Sequence, residues 1–334
     1  MTTKLAINGF GRIGRAAFKI ALTKPDVEVA AINDLTDTAT LAHLLQYDTV
    51  YGKYEKLVKS NGKSLVIDGK EYPVLAEKEP NKLPWKDLKI DVVIESTGRF
   101  VKQEQAASHL AAGAQRVVIS APAKGGGVDT FVLGVNDAKL KGQKIISNAS
   151  CTTNCIAPVI EIVNRSFGIK KAMMTTIHSY TADQNLVDGP HKDLRRARAA
   201  AANIVPTSTG AAIATGETVP EVKGKFDGIS IRVPTPIVSL SDITMVVGKP
   251  VTIDAVNAAF KAAKDEPRYQ GVLDVTEEEL VSSDFIGNSH ASIVDLSLTN
   301  VVDGDLLKVV AWYDNEWGYS NTLVRICQSI GKKI

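Results

Sequence analysis

The chain has 334 residues, 44% of them apolar and 23% charged, with a formal net charge of +2. These proportions belong to an ordinary globular protein of a length that favours two domains, and they exclude intrinsic disorder and collagen-like repeats. The near-balanced charge supplies no general attraction to nucleic acid or anionic membranes.

Met1-Thr2-Thr3-Lys4 runs straight into an apolar strand, Leu5-Ala6-Ile7, so a standard secretory signal is not expected. No apolar run approaches the ~18 residues needed to span a bilayer. Three cysteines in so long a chain do not make a disulfide framework and fit a reducing compartment, so a cytoplasmic location is expected. After the first strand come Gly9, Gly11 and Gly14 in G-x-G-x-x-G spacing, then the helical pattern Ala16 to Leu22. Gly9 is expected to make the tight turn, Gly11 to let a pyrophosphate approach the backbone, and Gly14 to bring helix and strand together. The phosphates would sit on the unpaired N–H groups of the helix N-terminus. A second strand, Val27 to Ile32, ends in Asn33-Asp34, about twenty residues past Gly14. An acid there accepts hydrogen bonds from ribose hydroxyls and repels a 2′-phosphate, which points to NAD over NADP.

Leu65-Val66-Ile67 and Tyr72-Pro73-Val74 flank Asp68-Gly69, a hairpin signal. Three more strands of the buried type follow, at Asp91–Glu95, Arg116–Ile119 and Lys144–Ser147. The Ser96-Thr97-Gly98 and Ser120-Ala121-Pro122 endings are candidate cofactor walls, although ordinary strand-to-loop turns have the same composition. Ser147-Asn148-Ala149-Ser150 then makes a turn, and an amphipathic helix begins with Cys151 in its first turn. Partial positive charge at a helix N-terminus stabilises a thiolate, so Cys151 is a candidate covalent nucleophile. It could equally close a helix–sheet contact as a small hydrophobe. Cys155, one turn on, is read as structural, and no metal site is expected from this pair.

The second half changes to longer alternating strands. His178 lies near the end of one, Ala172–Thr181, and becomes a candidate base beside a helix-capping cysteine. Residues 183–209 offer little to bury. They carry the basic run Lys192 to Arg198, in which Arg195 and Arg198 share a face if the run is helical. Ser208-Thr209-Gly210 opens a further helix and forms a second anion-type N-terminus. Arg232 sits on the strand 228–234, where an arginine serves as a buried pair or a phosphate clamp. Near the end, Val309–Tyr313 leads into a final helix, with Asn315 at its N-cap side.

Together these segments resemble phosphorylating glyceraldehyde-3-phosphate dehydrogenases over essentially the whole chain. The most specific elements are Asn8–Gly14, Ser147–Cys155, His178–Thr181, Pro206–Ala212 and Trp312–Gly318. The resemblance implies a Rossmann-type doubly wound parallel sheet plus an α+β catalytic domain with a mostly antiparallel sheet. It places an NAD-binding domain at 1–150, a catalytic domain at 151–315, and the C-terminal helix 316–334 back on the first domain. It further implies Cys151 as nucleophile and His178 as its partner, with Thr181 and Arg232 on the substrate's C3 phosphate. Arg196, Thr209 and Gly210 fall on inorganic phosphate, with Ser150 and Thr152 beside the thiol. Arg12, Ile13, Asp34, Lys78, Ser120 and Asn315 match cofactor contacts, and Asn315 would hold the nicotinamide amide. Asp34-Leu35 and Gly189-Pro190 keep the NAD-type pattern. The implied reaction oxidises D-glyceraldehyde 3-phosphate with NAD+ and inorganic phosphate to 1,3-bisphosphoglycerate in glycolysis, within a homotetramer. Erythrose-4-phosphate dehydrogenase shares nearly every motif. Aspartate-semialdehyde-type or acylating enzymes share the thiohemiacetal step but not the paired anion sites. A non-enzymatic nucleic-acid or surface-binding role rests only on Lys192–Arg198, which lacks interleaved aromatics.

Overall fold

A computed structural model describes residues 2–332; Met1 and the last two residues of the expected C-terminal helix, 333 and 334, lie outside the described residues. The chain divides into two compact units. One comprises the residues up to Phe131, Lys139–Ala149 and the chain from Ser320 onward; the other comprises Val132–Ala138 and Ser150–Tyr319.

The first unit is built on a nine-stranded sheet. Its centre runs Ile145–Ser147, Arg116–Ile119, Val92–Glu95, Thr3–Asn8, Val27–Asn33 and Lys70–Leu75, all parallel. Leu5, Ile7, Val92, Val93, Ile94, Val117, Val118 and Ile119 are fully buried. Near-continuous apolar strands are what a parallel sheet covered on both faces requires. The Asp68-Gly69 hairpin, with both residues at positive φ (49° and 85°), joins Ser64–Ile67 to Lys70–Leu75 in antiparallel register, and Val58–Ser60 forms the edge beyond it. Thr3–Asn8 pairs with Val27–Asn33 on one side and Val92–Glu95 on the other. Its carboxyl end is therefore the topological switch point, where a crevice opens in such sheets.

The helix Arg12–Ala21 follows at once, and two glycines allow the close approach. A Cβ on Gly14 would stand 2.1 Å from the Gly9 carbonyl oxygen, and Gly9 itself has φ +94° with the Thr97 nitrogen 2.7 Å from a hypothetical Cβ. Any larger residue at either position forces strand and helix apart.

The second unit holds a seven-stranded mixed sheet, largely antiparallel, ordered Val205–Ser208, Phe226–Val233, Ile169–Ser179, Ser239–Val247, Leu306–Tyr313, Ser292–Val302, Leu273–Thr276. The helices Cys151–Phe167, Ala211–Thr218 and Ile253–Lys264 contribute to the core under one face, where Ile156, Val159, Ile160, Ile243, Met245, Phe260 and Val309 pack together. Truncating one such residue to alanine costs about 2–5 kcal/mol. Ser239–Val247 alternates buried and half-buried residues along its length. Met173, Ile229 and Leu306 remain exposed (61%, 48% and 39%).

The basic run does not form the helix that would align Arg195 with Arg198. Asp193 Oδ1 accepts the Arg195 N–H at 2.9 Å, and Asp188 Oδ1 accepts the Ala199 N–H at 2.9 Å. Short acidic side chains thus satisfy backbone donors in turn geometry and compete with helix formation. No helix among the described residues is long and apolar enough to cross a membrane.

Candidate active site

In the first unit a cavity of about 640 Å³ lies over the switch point, lined by Gly9, Gly11, Asp34, Lys78, Ser96 and Thr97 among others. Asp34 is held from below: Oδ2 accepts the Phe10 N–H at 2.7 Å and Oδ1 the Thr36 N–H at 2.9 Å. No side chain caps the Arg12–Ala21 helix at Gly11, and nothing lies within 4 Å of a Cβ placed on Gly11. An uncapped helix start beside open space is a fitting seat for a pyrophosphate. The Ser120 hydroxyl, beyond the Arg116–Ile119 strand, is buried without a partner. Arg12 turns to Asp48 instead of into the cavity, with guanidinium–carboxylate contacts of 3.1 and 3.3 Å. Ile13 is half-buried in the first turn of the same helix.

In the second unit Ser150 caps the Cys151–Phe167 helix, its Oγ accepting the Thr153 N–H at 3.1 Å. Ala149, just before it, sits at φ +57°, a left-handed conformation that costs an alanine about 1–2 kcal/mol. Cys151 is the first residue of the helix, and its Sγ lies 3.5 Å from His178 Nε2. His178 Nδ1 is 2.7 Å from the Ser179 carbonyl oxygen, which can only accept, so Nδ1 carries the hydrogen and Nε2 presents a lone pair to the thiol. The Tyr313 ring stands edge-on to the imidazole, and its hydroxyl links Thr152 Oγ1 (3.0 Å) to Thr176 Oγ1 (2.8 Å).

Burial pushes the Cys151 thiol above its ordinary value, and the nearby Arg232 charge only partly offsets this. That direction is opposite to what helix position alone predicts, because loss of water around sulfur outweighs the field of the helix end. Burial, then the same guanidinium, depress His178 to about 3. Both shifts favour the uncharged forms of the thiol and the ring. Cys155 is fully buried, and burial pushes its thiol up to about 12, as suits a packing residue.

The two arginines differ. Arg232 Nη1 donates to the Ser179 carbonyl at 3.2 Å and to Thr181 Oγ1 at 3.3 Å. Its Nε is buried without a partner, and burial works against its charge. No carboxylate pairs with it among the described residues. Arg196, by contrast, is bound to Asp183, lies 3.5 Å from Asp193, and donates Nε–H to Thr207 Oγ1 at 2.9 Å. Thr209 Oγ1 accepts the Ala211 N–H at 3.2 Å, and Gly210 is the N-cap of the Ala211–Thr218 helix with no side-chain cap.

Asn315 does not cap the final helix. Asp314 does, its Oδ1 accepting the Glu316 and Trp317 N–H groups at 3.0 and 2.8 Å. The Asn315 side chain instead turns into the unit, where its Oδ1 accepts from Ser179 Oγ and Ser239 Oγ, both at 3.0 Å. Ser239 Oγ also accepts the Ser179 N–H, so its one hydrogen goes to Asn315 and the amide NH2 must point the other way. Ser179, Ser239, Tyr313 and Asp314 were not singled out from sequence. Ser179 adjoins His178, but Ser239 has no local signal.

A parallel sheet with a glycine turn and an acid at its switch point, followed by a mixed sheet carrying a thiol–imidazole pair, defines the class of two-domain dehydrogenases that work through a cysteine. Residues 3–103 match the glyceraldehyde 3-phosphate dehydrogenase NAD binding domain, and residues 150–315 match the C-terminal domain of the same enzymes. Over its whole length the chain is 53% identical to glyceraldehyde-3-phosphate dehydrogenase of Geobacillus stearothermophilus, covering 99% of that protein. It is likewise 53% identical to glyceraldehyde-3-phosphate dehydrogenase 1 of Bacillus subtilis, with the same coverage, and 50% identical to the Streptomyces coelicolor enzyme over all of both chains. The chain belongs to the glyceraldehyde-3-phosphate dehydrogenase family.

Proposed function

We propose that this protein is the NAD-dependent, phosphorylating glyceraldehyde-3-phosphate dehydrogenase of glycolysis, with residues 1–150 and the C-terminal helix holding NAD and residues 151–315 carrying out the chemistry. The observation that carries this reading is the 3.5 Å approach of Cys151 Sγ to a His178 whose tautomer leaves Nε2 as a base. Asp34, the Gly9–Gly14 turn and the uncapped helix start fit NAD.

As Cys151 sulfur bonds to the aldehyde carbon, its proton passes to His178 Nε2. His178 then returns that proton to the developing alkoxide, giving a thiohemiacetal whose oxygen is held by the Cys151 N–H and by the imidazole. Bound NAD+ would supply the hydride acceptor for oxidation of that carbon to a thioester, with His178, neutral again, taking the hydroxyl proton. Arg232 and Thr181 orient the C3 phosphate. The Arg196, Thr209 and Gly210 region receives inorganic phosphate, whose oxygen attacks the thioester carbon and expels Cys151 sulfur, giving 1,3-bisphosphoglycerate. Arg196 enters that role already neutralised, so Thr209 and the Gly210 helix end carry more of the second site than Arg196 does.

A homotetramer is part of this reading. The exposed Met173, Ile229 and Leu306 offer apolar surface that a second copy can bury, next to a cavity of about 990 Å³. A monodisperse monomer in sedimentation overturns it. A cytoplasmic location accords with the three free cysteines, and no primary nucleic-acid role is assigned. The test of function is NADH absorbance on mixing protein, NAD+ and glyceraldehyde 3-phosphate. Steady turnover that requires phosphate supports the scheme, and a burst that phosphate does not relieve moves the second half-reaction elsewhere. Faster turnover of erythrose 4-phosphate reassigns the substrate.

A further inference from the structure

Glu95 ends a central strand of the parallel sheet and is 1% exposed. No lysine or arginine pairs with it among the described residues. Its carboxylate instead accepts four hydrogen bonds. Oε1 takes the Thr97 N–H at 2.9 Å and the Thr97 hydroxyl at 2.5 Å; Oε2 takes Asn8 Nδ2 at 2.6 Å and His109 Nε2 at 2.9 Å.

The surroundings orient every member of this cluster. Trp85 Nε1 donates to His109 Nδ1 at 3.0 Å, so His109 carries its hydrogen on Nε2, toward Glu95. Asn8 Nδ2 and His109 Nε2, 3.5 Å apart, are two donors converging on one oxygen. With its NH2 committed, Asn8 presents Oδ1 to Asn33 Nδ2 at 2.6 Å. Asn33 then closes a two-bond ring with the Glu77 backbone, donating to its carbonyl and accepting its N–H, each at 2.9 Å. The bonds thus run inward to Glu95 from both ends, Trp85 at one and the Asn33–Glu77 ring at the other. Asn33 and Glu77 each stand one residue before a group lining the cavity, Asp34 and Lys78.

We propose that Glu95 is a positioning residue for the adenosine half of the cofactor: its carboxylate sets the side-chain orientation of Asn8 and Asn33, and through them the separation of Asp34 from Lys78. The proposal rests on the NAD reading above. It follows from acceptor count: a carboxylate is the one side chain of this size that offers only acceptors to four donors.

Glu95→Gln keeps the shape but turns one acceptor into a donor, which must face either the Thr97 donors or the Asn8 and His109 donors. The dissociation constants of NAD+ and of ADP-ribose, measured by calorimetry, are expected to rise about tenfold together. Turnover at saturating NAD+ should stay within about twofold of wild type. Should Glu95→Gln fail to fold, Trp85→Phe decides: it keeps an aromatic ring, frees His109 to change tautomer, and should weaken ADP-ribose about threefold. ADP-ribose affinity unchanged in a folded variant, or a fall in turnover without a fall in affinity, overturns the proposal. If wild-type protein binds neither NAD+ nor ADP-ribose, it is the NAD reading that fails.

Discussion

Glu95 of the parallel-sheet unit and Arg232 of the mixed-sheet unit hold their charge in opposite ways. Glu95 is buried, its two oxygens surrounded by four donors on three residues. Arg232 is half-buried, with an orphaned Nε and, among the described residues, no carboxylate partner. A satisfied buried charge locks the groups around it, while an unsatisfied one keeps binding capacity in reserve for an anion that arrives later. The first suits a crevice that must be in shape before the cofactor comes. The second suits a site whose substrate carries the missing charge.

The sharpest test of this contrast is chemical. Cys151→Ser should lower turnover by on the order of 10⁴-fold, since a hydroxyl beside the same base is a far weaker nucleophile. Near-wild-type turnover of the folded variant, read by NADH absorbance, would remove the covalent route. Next, Arg232→Met should lower kcat/KM for glyceraldehyde 3-phosphate by about 10²–10³-fold, from the loss of charge-assisted hydrogen bonds. Its melting temperature should hold or rise, because no partner carboxylate is left unpaired. A marked loss of stability with KM unchanged would make Arg232 a structural cation and break the comparison.

On the other side, Asp34→Asn should weaken NAD+ about tenfold while improving NADP+ relative to it, since the carboxylate that repels a 2′-phosphate is gone. Parallel titrations with both cofactors check this, and equal weakening counts against the ribose role. A further test concerns acid stability. His178 falls from its ordinary 6.5 to about 3 on folding, so folding favours the neutral ring. That stabilisation is fully present above about pH 6.5 and is lost as pH falls from there toward 3, at about 1.4 kcal/mol per pH unit. Denaturant unfolding of His178→Gln between pH 4 and 7 should therefore show a flatter pH dependence than wild type. Identical slopes would mean that folding does not shift the protonation of His178.

The fold class was legible because it is written in short-range pattern. Buried runs such as Val92–Ile94 and Val117–Ile119 cannot be half-exposed strands. The basic run Lys192–Arg198 was less readable. Its helical alternative failed because Asp188 and Asp193 take the backbone donors, a choice made by side chains that a 3.6-residue pattern does not weigh. Asn315 was read as a possible cap because it stands beside a helix start. Asp314 takes that place, since two serines from distant strands draw Asn315 away.

By itself, then, the sequence determined what neighbours along the chain decide: the Gly9–Gly14 turn with a helix behind it, the hairpin at Asp68-Gly69, and a serine-capped helix with Cys151 at its head. Such features depend on φ/ψ preference and on donors within a few residues, so composition and spacing are enough to specify them. Tertiary structure alone decided the protonation and pairing of the working groups. The His178 tautomer, the orientation of Asn315, the neutralisation of Arg196 by Asp183 and the four-donor shell of Glu95 join residues that separate strands and loops bring together. The reason is that a proton's position and a charge's strength depend on which partners stand within about 3 Å and how much water is excluded, and neither quantity is carried by order along a chain.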